Sequence, residues 1–248
     1  MNYKTFWNIR SAKYDKLYWT KDKSYLQHII QASRLKKKDV VLDVGTGTGA
    51  VAKAVKPYAK HVVGLDTSDS MLDKGKWQGF SVIKWDISDL IFANNAFDKI
   101  IARMVFHHVL DNLDRALLRC YDMLKFKGIL TIAEGVPPSE DKDVVDWYSY
   151  MFSFKEKRRT FTESQLKKLF KRNSFSKIRS EVYTMRNFSI KNWLINSGLD
   201  KKLQKKILKI HVEASAKIKA LYNMRITKDD CFVDTKNVII VGQKEPLG

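Results

Sequence analysis

Cysteine is nearly absent: Cys120 and Cys231 lie far apart in 248 residues, with no C-x-x-C partner. That excludes a disulfide framework and a cysteine-built zinc site, and no metal centre is expected. Proline is almost as scarce, with four residues, so the pair Pro137-Pro138 stands out as a break in the chain's rhythm. No run approaches 18 uninterrupted apolar residues, and "MNYKTFWNIRSAKYDK" is polar, aromatic and charged where a signal peptide needs an apolar stretch. A soluble, cytoplasmic chain with no membrane segment is therefore expected. Acidic residues are outnumbered, 27 against 46 Lys and Arg, for a net charge of +19. Residues 1–150 hold 23 basic and 18 acidic side chains, whereas residues 151–248 hold 23 and 9, so the excess lies in the C-terminal part. There it sits in runs such as "QLKKLFKRNSF" and "LDKKLQKKILKI", where lysines fill the polar positions of amphipathic helices. A solvated helix face is the plainer reading of such runs, and a nucleic-acid patch the sharper one.

What is present is an alternation of apolar strands and helical patterns through the first half. Strands are predicted at Val40–Gly45, His61–Asp66, Ser81–Asp86, Phe97–Arg103 and Gly128–Glu134. Helical segments fall near Ala50–Val55, Ser68–Lys74 and Leu113–Phe126, the last stopped by Lys127-Gly128. Further strands near Ile178–Met185 and at Asn237–Gln243 bring the count to seven. The expected fold is α/β: a Rossmann-like, doubly wound, seven-stranded, mostly parallel sheet with helices on both faces. One domain over 1–248 is expected, with an N-terminal lid segment (1–35) and helical cap elements at 139–160 and 188–222. The second cap separates two strands that a hairpin would join in a few residues, so it is an insertion with a task of its own.

The segment "VLDVGTGTGA" runs from a strand into Gly45, Thr46, Gly47, Thr48, Gly49 and Ala50. It meets the loose G-x-G-x-x-G/A pattern, which says only that backbone turns sharply beside a ligand and a helix N-terminus. Asp43, just before the loop, is expected near the ligand, opposing a pyrophosphate and suiting a cationic group; orienting the loop is its alternative role. Asp66 closes the second strand, where a carboxylate accepts both hydroxyls of a ribose. Asp86 follows the third, placed for the exocyclic amine of an adenine.

The set "VLDVGTGTG", "VVGLDTSDSML", "IKWDISDL" and "FDKIIARMVFHHV", in this order and spacing, resembles class I S-adenosylmethionine-dependent methyltransferases. More narrowly it resembles the ubiquinone/menaquinone-biosynthesis-like (methyltransferase type 11) branch that acts on small molecules. The resemblance covers about Tyr3 to Glu134 and implies S-adenosyl-L-methionine as cofactor. It implies that Gly45, Thr46 and Gly47 approach the methionine part and that Asp66 binds the ribose. Thr67 and Met71 would flank the adenosine, Asp86 and Ile87 would hold the adenine, and Arg103 would reach the methionine part through its backbone. Met71 has ordinary helix core as its other reading.

On the acceptor side, His107 and His108 in "FHHV" are the candidate bases, His107 first, unless both are structural. Tyr14 and Tyr18 are candidate lid residues over the substrate, or simply part of a helix packed on the sheet. Arg158 and Arg159 are candidates for holding a carboxylate or phosphate, as are Arg186 and Arg225. The expected acceptor is a small molecule with an O, N or C nucleophile, anionic ones included, and the expected oligomer a monomer or homodimer. RNA methylation through the basic C-terminal half, NAD-dependent oxidoreduction and a non-catalytic cofactor-binding scaffold stand as alternatives. Arsenic methylation is disfavoured by the two cysteines.

Overall fold

A computed structural model describes residues 9–77, 79–89 and 92–245, apart from the side chain of Tyr18. The strands among them are β1 (Val40–Val44), β2 (His61–Asp66), β3 (Ser81–Lys84), β4 (Phe97–Arg103), β5 (Leu124–Val136), β6 (Phe175–Ser189), β7 (Arg225–Ile226) and β8 (Cys231–Lys244). Seven lie side by side in the order β3-β2-β1-β4-β5-β8-β6, and the two-residue β7 pairs with β8 alone. Strands β1 to β5 are parallel, and β8 runs antiparallel between β5 and β6. The expected doubly wound α/β sheet is therefore the observed one, with one short strand added.

The central strands carry runs of buried apolar residues because both faces are covered. Within β4, for example, Ile100, Ile101 and Ala102 are all fully buried. One face packs against helices Lys23–Ser33, Ala50–Val55, Lys142–Ser153, Ile190–Ile195 and Lys201–Val212. The other packs against helices Leu113–Met123 and Glu163–Arg172. Helix Glu163–Arg172 begins at a capping box in which Thr162 accepts from the Gln165 backbone and Gln165 returns a bond to Thr162. No helix among the described residues is long and apolar enough to cross a membrane.

Several boundaries differ from the sequence pattern. The helix from Leu113 ends at Met123 rather than Phe126, because Leu124 turns extended and pairs with Phe97. Lys127 then adopts a left-handed φ of 60° beside the register shift in β5. Strands β6 and β8 are roughly twice the length expected. They pair with each other almost throughout, and β6 lies at the sheet edge, where its exposed charges break the apolar alternation on which the expectation rested. The 188–222 segment forms helices Ile190–Ile195, Lys201–Val212 and Ala216–Leu221. Lys201, Lys202, Lys205, Lys206 and Lys209 of the second are exposed while Ile207 and His211 are buried, so its basic run is a solvated face.

Strand order reverses at β1, which has β2 on one side and β4 on the other. In open sheets of this kind the crevice beyond the carboxyl ends at that switch point is where ligands bind.

Candidate active site

The glycine loop opens this crevice. Gly45 and Gly47 have φ of 64° and 56°. A Cβ on Gly45 would stand 2.2 Å from Val105, so the turn there admits only glycine. At Gly47 a Cβ would meet nothing nearer than the Tyr14 ring at 3.9 Å, which leaves its backbone facing the cleft between Tyr14 and Met71. The cleft has a volume of about 490 Å³ and brings together Tyr14, Gly45, Gly47, Asp66, Thr67, Met71, Asp86, Ile87, Arg103 and His108. Trp85, Met104, Val105 and Asn112 line it too, and sequence reasoning missed all four. Trp85 stands inside the motif "IKWDISDL" and is 44% exposed at the cleft.

Asp66 accepts from the Gly47 N–H at 2.8 Å and the Ser68 N–H at 2.9 Å. Burial raises its pKa, against the pull of those backbone bonds. Asp86 is exposed rather than buried, and one of its oxygens accepts from the backbone and hydroxyl of Ser88. Arg103 is 7% exposed, and its Nη1 has no hydrogen-bond partner among the described residues. Thr48 donates to Asp15 at 2.8 Å and so ties the Tyr14 segment to the glycine loop.

Asp43 and Thr46 lie elsewhere. Asp43 is buried behind the loop, where one carboxylate oxygen accepts from the Thr46 hydroxyl at 2.7 Å and the Ala52 N–H at 3.0 Å. Burial pushes its carboxyl up to about 7. It orients the loop and does not line the cleft, so the expectation that it repels a pyrophosphate loses its basis. Arg159 is likewise spoken for: its guanidinium donates to the Val109 and Leu110 carbonyls, and its backbone N–H to the His107 carbonyl. It clamps the 107–110 loop instead of facing a substrate. Arg186 and Arg225 line a separate exposed depression with Asn187 and Asp234. The Tyr18 side chain lies outside the described residues.

Behind the cleft is a second, mostly apolar chamber of about 110 Å³. Tyr14, Met104 and His108 line both cavities and form the wall between them. The 188–222 segment supplies Ile190, Trp193, His211 and Tyr222 to the chamber, and helix Lys142–Ser153 supplies Tyr148, Met151 and Phe152.

One side of the chamber is a buried charge network that the sequence did not disclose. Glu156 pairs with Arg10 at 3.0 Å, with Lys155 at closer range and with Arg158 at 3.6 Å. Burial would raise its pKa, but Lys155, His108, Arg10 and Arg158 outweigh that and hold it well below the usual carboxylate range. Lys155 is pulled down to about 7 by burial and by Arg10. Glu134, two residues before the end of β5, contacts His107 Nδ1 at 2.6 Å and accepts from the Val105 and His107 backbone N–H groups. Burial pushes it up to about 7. With Nδ1 protonated toward Glu134, His107 keeps Nε2 as its acceptor. Burial holds both His107 and His108 far below the ordinary imidazole pKa, so both rings are neutral. His107, His108 and Glu156 bring potential metal ligands within 4.8 Å of one another, yet the three cations already on Glu156 oppose a further dication there.

A Rossmann-like sheet with a glycine loop at its switch point and an acidic residue on the neighbouring strand end defines the class of nucleoside-cofactor-binding α/β domains. Within that class, residues 42–132 match the family described as "Methyltransferase domain". The chain is 32% identical over 133 residues to demethylmenaquinone methyltransferase of Thermotoga maritima, covering 52% of this chain and 58% of that protein. It spans between half and three fifths of the length of the first curated relatives it matches. Among solved structures it superposes on the YcgJ protein of Bacillus subtilis with a TM-score of 0.82 at 19% identity, over 90% of this chain and 99% of that one. A putative methyltransferase of Bacillus halodurans gives 0.79 at 19% identity, over 90% and 100%.

Proposed function

We propose that the chain is an S-adenosylmethionine-dependent methyltransferase for a small-molecule acceptor, with the cofactor in the outer cleft and the acceptor in the inner chamber. The observation that carries this is the shared wall of Tyr14, Met104 and His108 between the larger, more polar cleft that holds the glycine loop and Asp66 and the smaller, aromatic-lined chamber. The residues fit the cofactor: Gly47, with no side chain on the cleft wall, admits a close-approaching chain, and the unpartnered Arg103 Nη1 suits an anionic group such as its carboxylate. Asp66 would take the ribose hydroxyls, Thr67 and Met71 the sides of the adenosine, and Asp86, Ile87 and Trp85 the adenine. When bound, S-adenosylmethionine supplies a methyl group on a sulfonium, whose loss leaves a neutral thioether.

The chain's own part is alignment, exclusion of water and handling of a proton. The Tyr14 segment, tied to the loop through Asp15 and Thr48, covers the junction. His108, neutral and on both cavities, takes the proton of an O–H or N–H nucleophile. His107 is a positioning residue, held by Glu134 and packed against His108 with ring centroids 4.0 Å apart and planes tilted by 44°. The relative from Thermotoga maritima is named for demethylmenaquinone, but 110 Å³ enclosed by Trp193, Phe152 and Phe188 suits an acceptor without a long chain.

The test is release of S-adenosylhomocysteine from S-adenosylmethionine across a panel of small phenols, amines and carboxylic acids, with tRNA in a salt series alongside. Turnover with a small acceptor is expected. Turnover with tRNA alone, or none with any acceptor despite bound cofactor, would overturn the reading in favour of RNA methylation or a non-catalytic scaffold.

A further inference from the structure

The buried network beside the inner chamber does not balance its own charge. Arg10 and Arg158 are permanently cationic, and Glu156 is the one carboxylate held fully ionised against them. Lys155 and Glu134 are one cation and one anion when charged, and burial moves both toward the neutral form, so together they add no net charge. The three histidines on the chamber wall, His107, His108 and His211, are held neutral by burial. Lys236, on the same wall, faces Glu163 at 3.7 Å. One positive charge is left over where water is scarce, and an uncompensated buried charge is costly.

Unused donors point the same way. Arg158 has a side-chain exposure of 3%, its guanidinium lies 4.2 Å over the Phe152 ring, and its Nη2 has no partner among the described residues. The Tyr222 hydroxyl, on the same chamber and buried, has none either. Both side chains line the one chamber. A guanidinium edge and a phenolic O–H on the walls of a single apolar space can seat a planar oxyanion. The space, about 110 Å³, approaches the roughly 150 Å³ cavity that accepts one benzene ring.

The geometry points to an acceptor that is a small carboxylic acid of about one ring in size, its carboxylate held by Arg158 Nη2 and the Tyr222 hydroxyl and its nucleophile directed to the junction at His108. This rests on the two-cavity reading above and deepens it. Arg158 and Tyr222 are thereby specificity-determining, since a neutral acceptor of the same shape leaves the surplus charge and both donors unmet.

The test is calorimetric titration with benzoate and with benzamide, its neutral isostere, into the full chain with and without S-adenosylhomocysteine. Benzoate is expected to bind at least about tenfold more tightly than benzamide, the worth of one charge-assisted pair. Arg158→Gln should bring benzoate down to the benzamide level. Tyr222→Phe, which removes a single oxygen and keeps the ring, should weaken benzoate by about three- to tenfold while benzamide stays unchanged. Affinity for S-adenosylhomocysteine should stay within about twofold in both variants, because neither side chain lines the outer cleft. Equal affinity for the two probes, no benzoate binding to the loaded protein, or benzoate binding untouched by Tyr222→Phe would overturn the inference. Loss of S-adenosylhomocysteine binding by the wild type would instead overturn the two-cavity reading, and benzoate binding to the unloaded chain would still decide this one.

Discussion

The outer cleft and the inner chamber are built on opposite plans. The cleft is made of strand ends and the loops that follow them: Gly45 and Gly47 after β1, Asp66 and Thr67 at β2, Asp86 and Ile87 after β3, Arg103 at the end of β4. Each contributes from a place that the sheet itself determines, and much of what faces the ligand is backbone. The chamber is assembled from side chains of an N-terminal segment, the 107–108 turn, helix Lys142–Ser153, the residues just after it and the 188–222 segment. Its ion pair between Arg10 and Glu156 joins residues 146 apart in the chain. A site of the first kind is shared across a class of domains; a site of the second kind is particular to one acceptor.

That contrast can be broken or sharpened by substitution. The largest effect is expected from Asp66→Ala, which removes both ribose acceptors together with the anchor of the Gly47 N–H. S-adenosylhomocysteine affinity should fall by about 10²-fold or more, at roughly 1.5–3 kcal/mol per hydrogen bond to a charged group, while benzoate binding to the unloaded chain is unchanged. Calorimetry on both ligands reads this directly. His108→Ala should do the reverse, lowering kcat by about 10²-fold for a protonated nucleophile with little change in cofactor affinity. An equal loss of affinity would move His108 from proton transfer to cofactor binding.

Smaller effects concern the elements that hold the two cavities in place. Thr48→Ala unties Asp15 from the glycine loop, and the loss of about 1 kcal/mol should weaken S-adenosylhomocysteine about fivefold through faster dissociation, visible by stopped flow. The last change is in stability and leaves ligand binding aside. Asp43 titrates near 7 folded and near ~4 unfolded, so the folded chain holds the extra proton between those values. Its contribution to stability is complete below about pH 4 and is lost as pH rises through about 7. Asp43→Asn, which still accepts from Thr46 and Ala52, should remove that slope. In thermal melts the variant should gain on the wild type steadily from pH 5 to pH 8, and a constant difference would contradict the assignment.

The same contrast explains what could be read from residues alone. Parallel strands announce themselves through apolar runs, and their carboxyl ends are predictable positions, so most of the cleft was legible. The rule even reached further than it was applied: Glu134 lies near the carboxyl end of β5, two residues before Val136, and that position was the available signal for the partner of His107. Asp43 shows the limit, because whether its carboxylate faces the ligand or the loop depends on the Thr46 and Ala52 bonds and not on its place in the motif. Lys155 and Glu156 were illegible in "SFKEKRR", a run whose composition is that of a solvated surface. What buries them is Arg10 on one side and Trp193, 5.4 Å from the Lys155 ammonium, on the other. Neither contact leaves a local trace.

The central claim, that the outer cleft is a seat for an adenosyl amino acid, is tested most directly by titrating the wild-type chain with S-adenosylhomocysteine and, separately, with NAD. Saturable binding of one equivalent of S-adenosylhomocysteine, undisturbed by excess NAD, is the expected result. No binding of S-adenosylhomocysteine, or its displacement by NAD, would contradict the account.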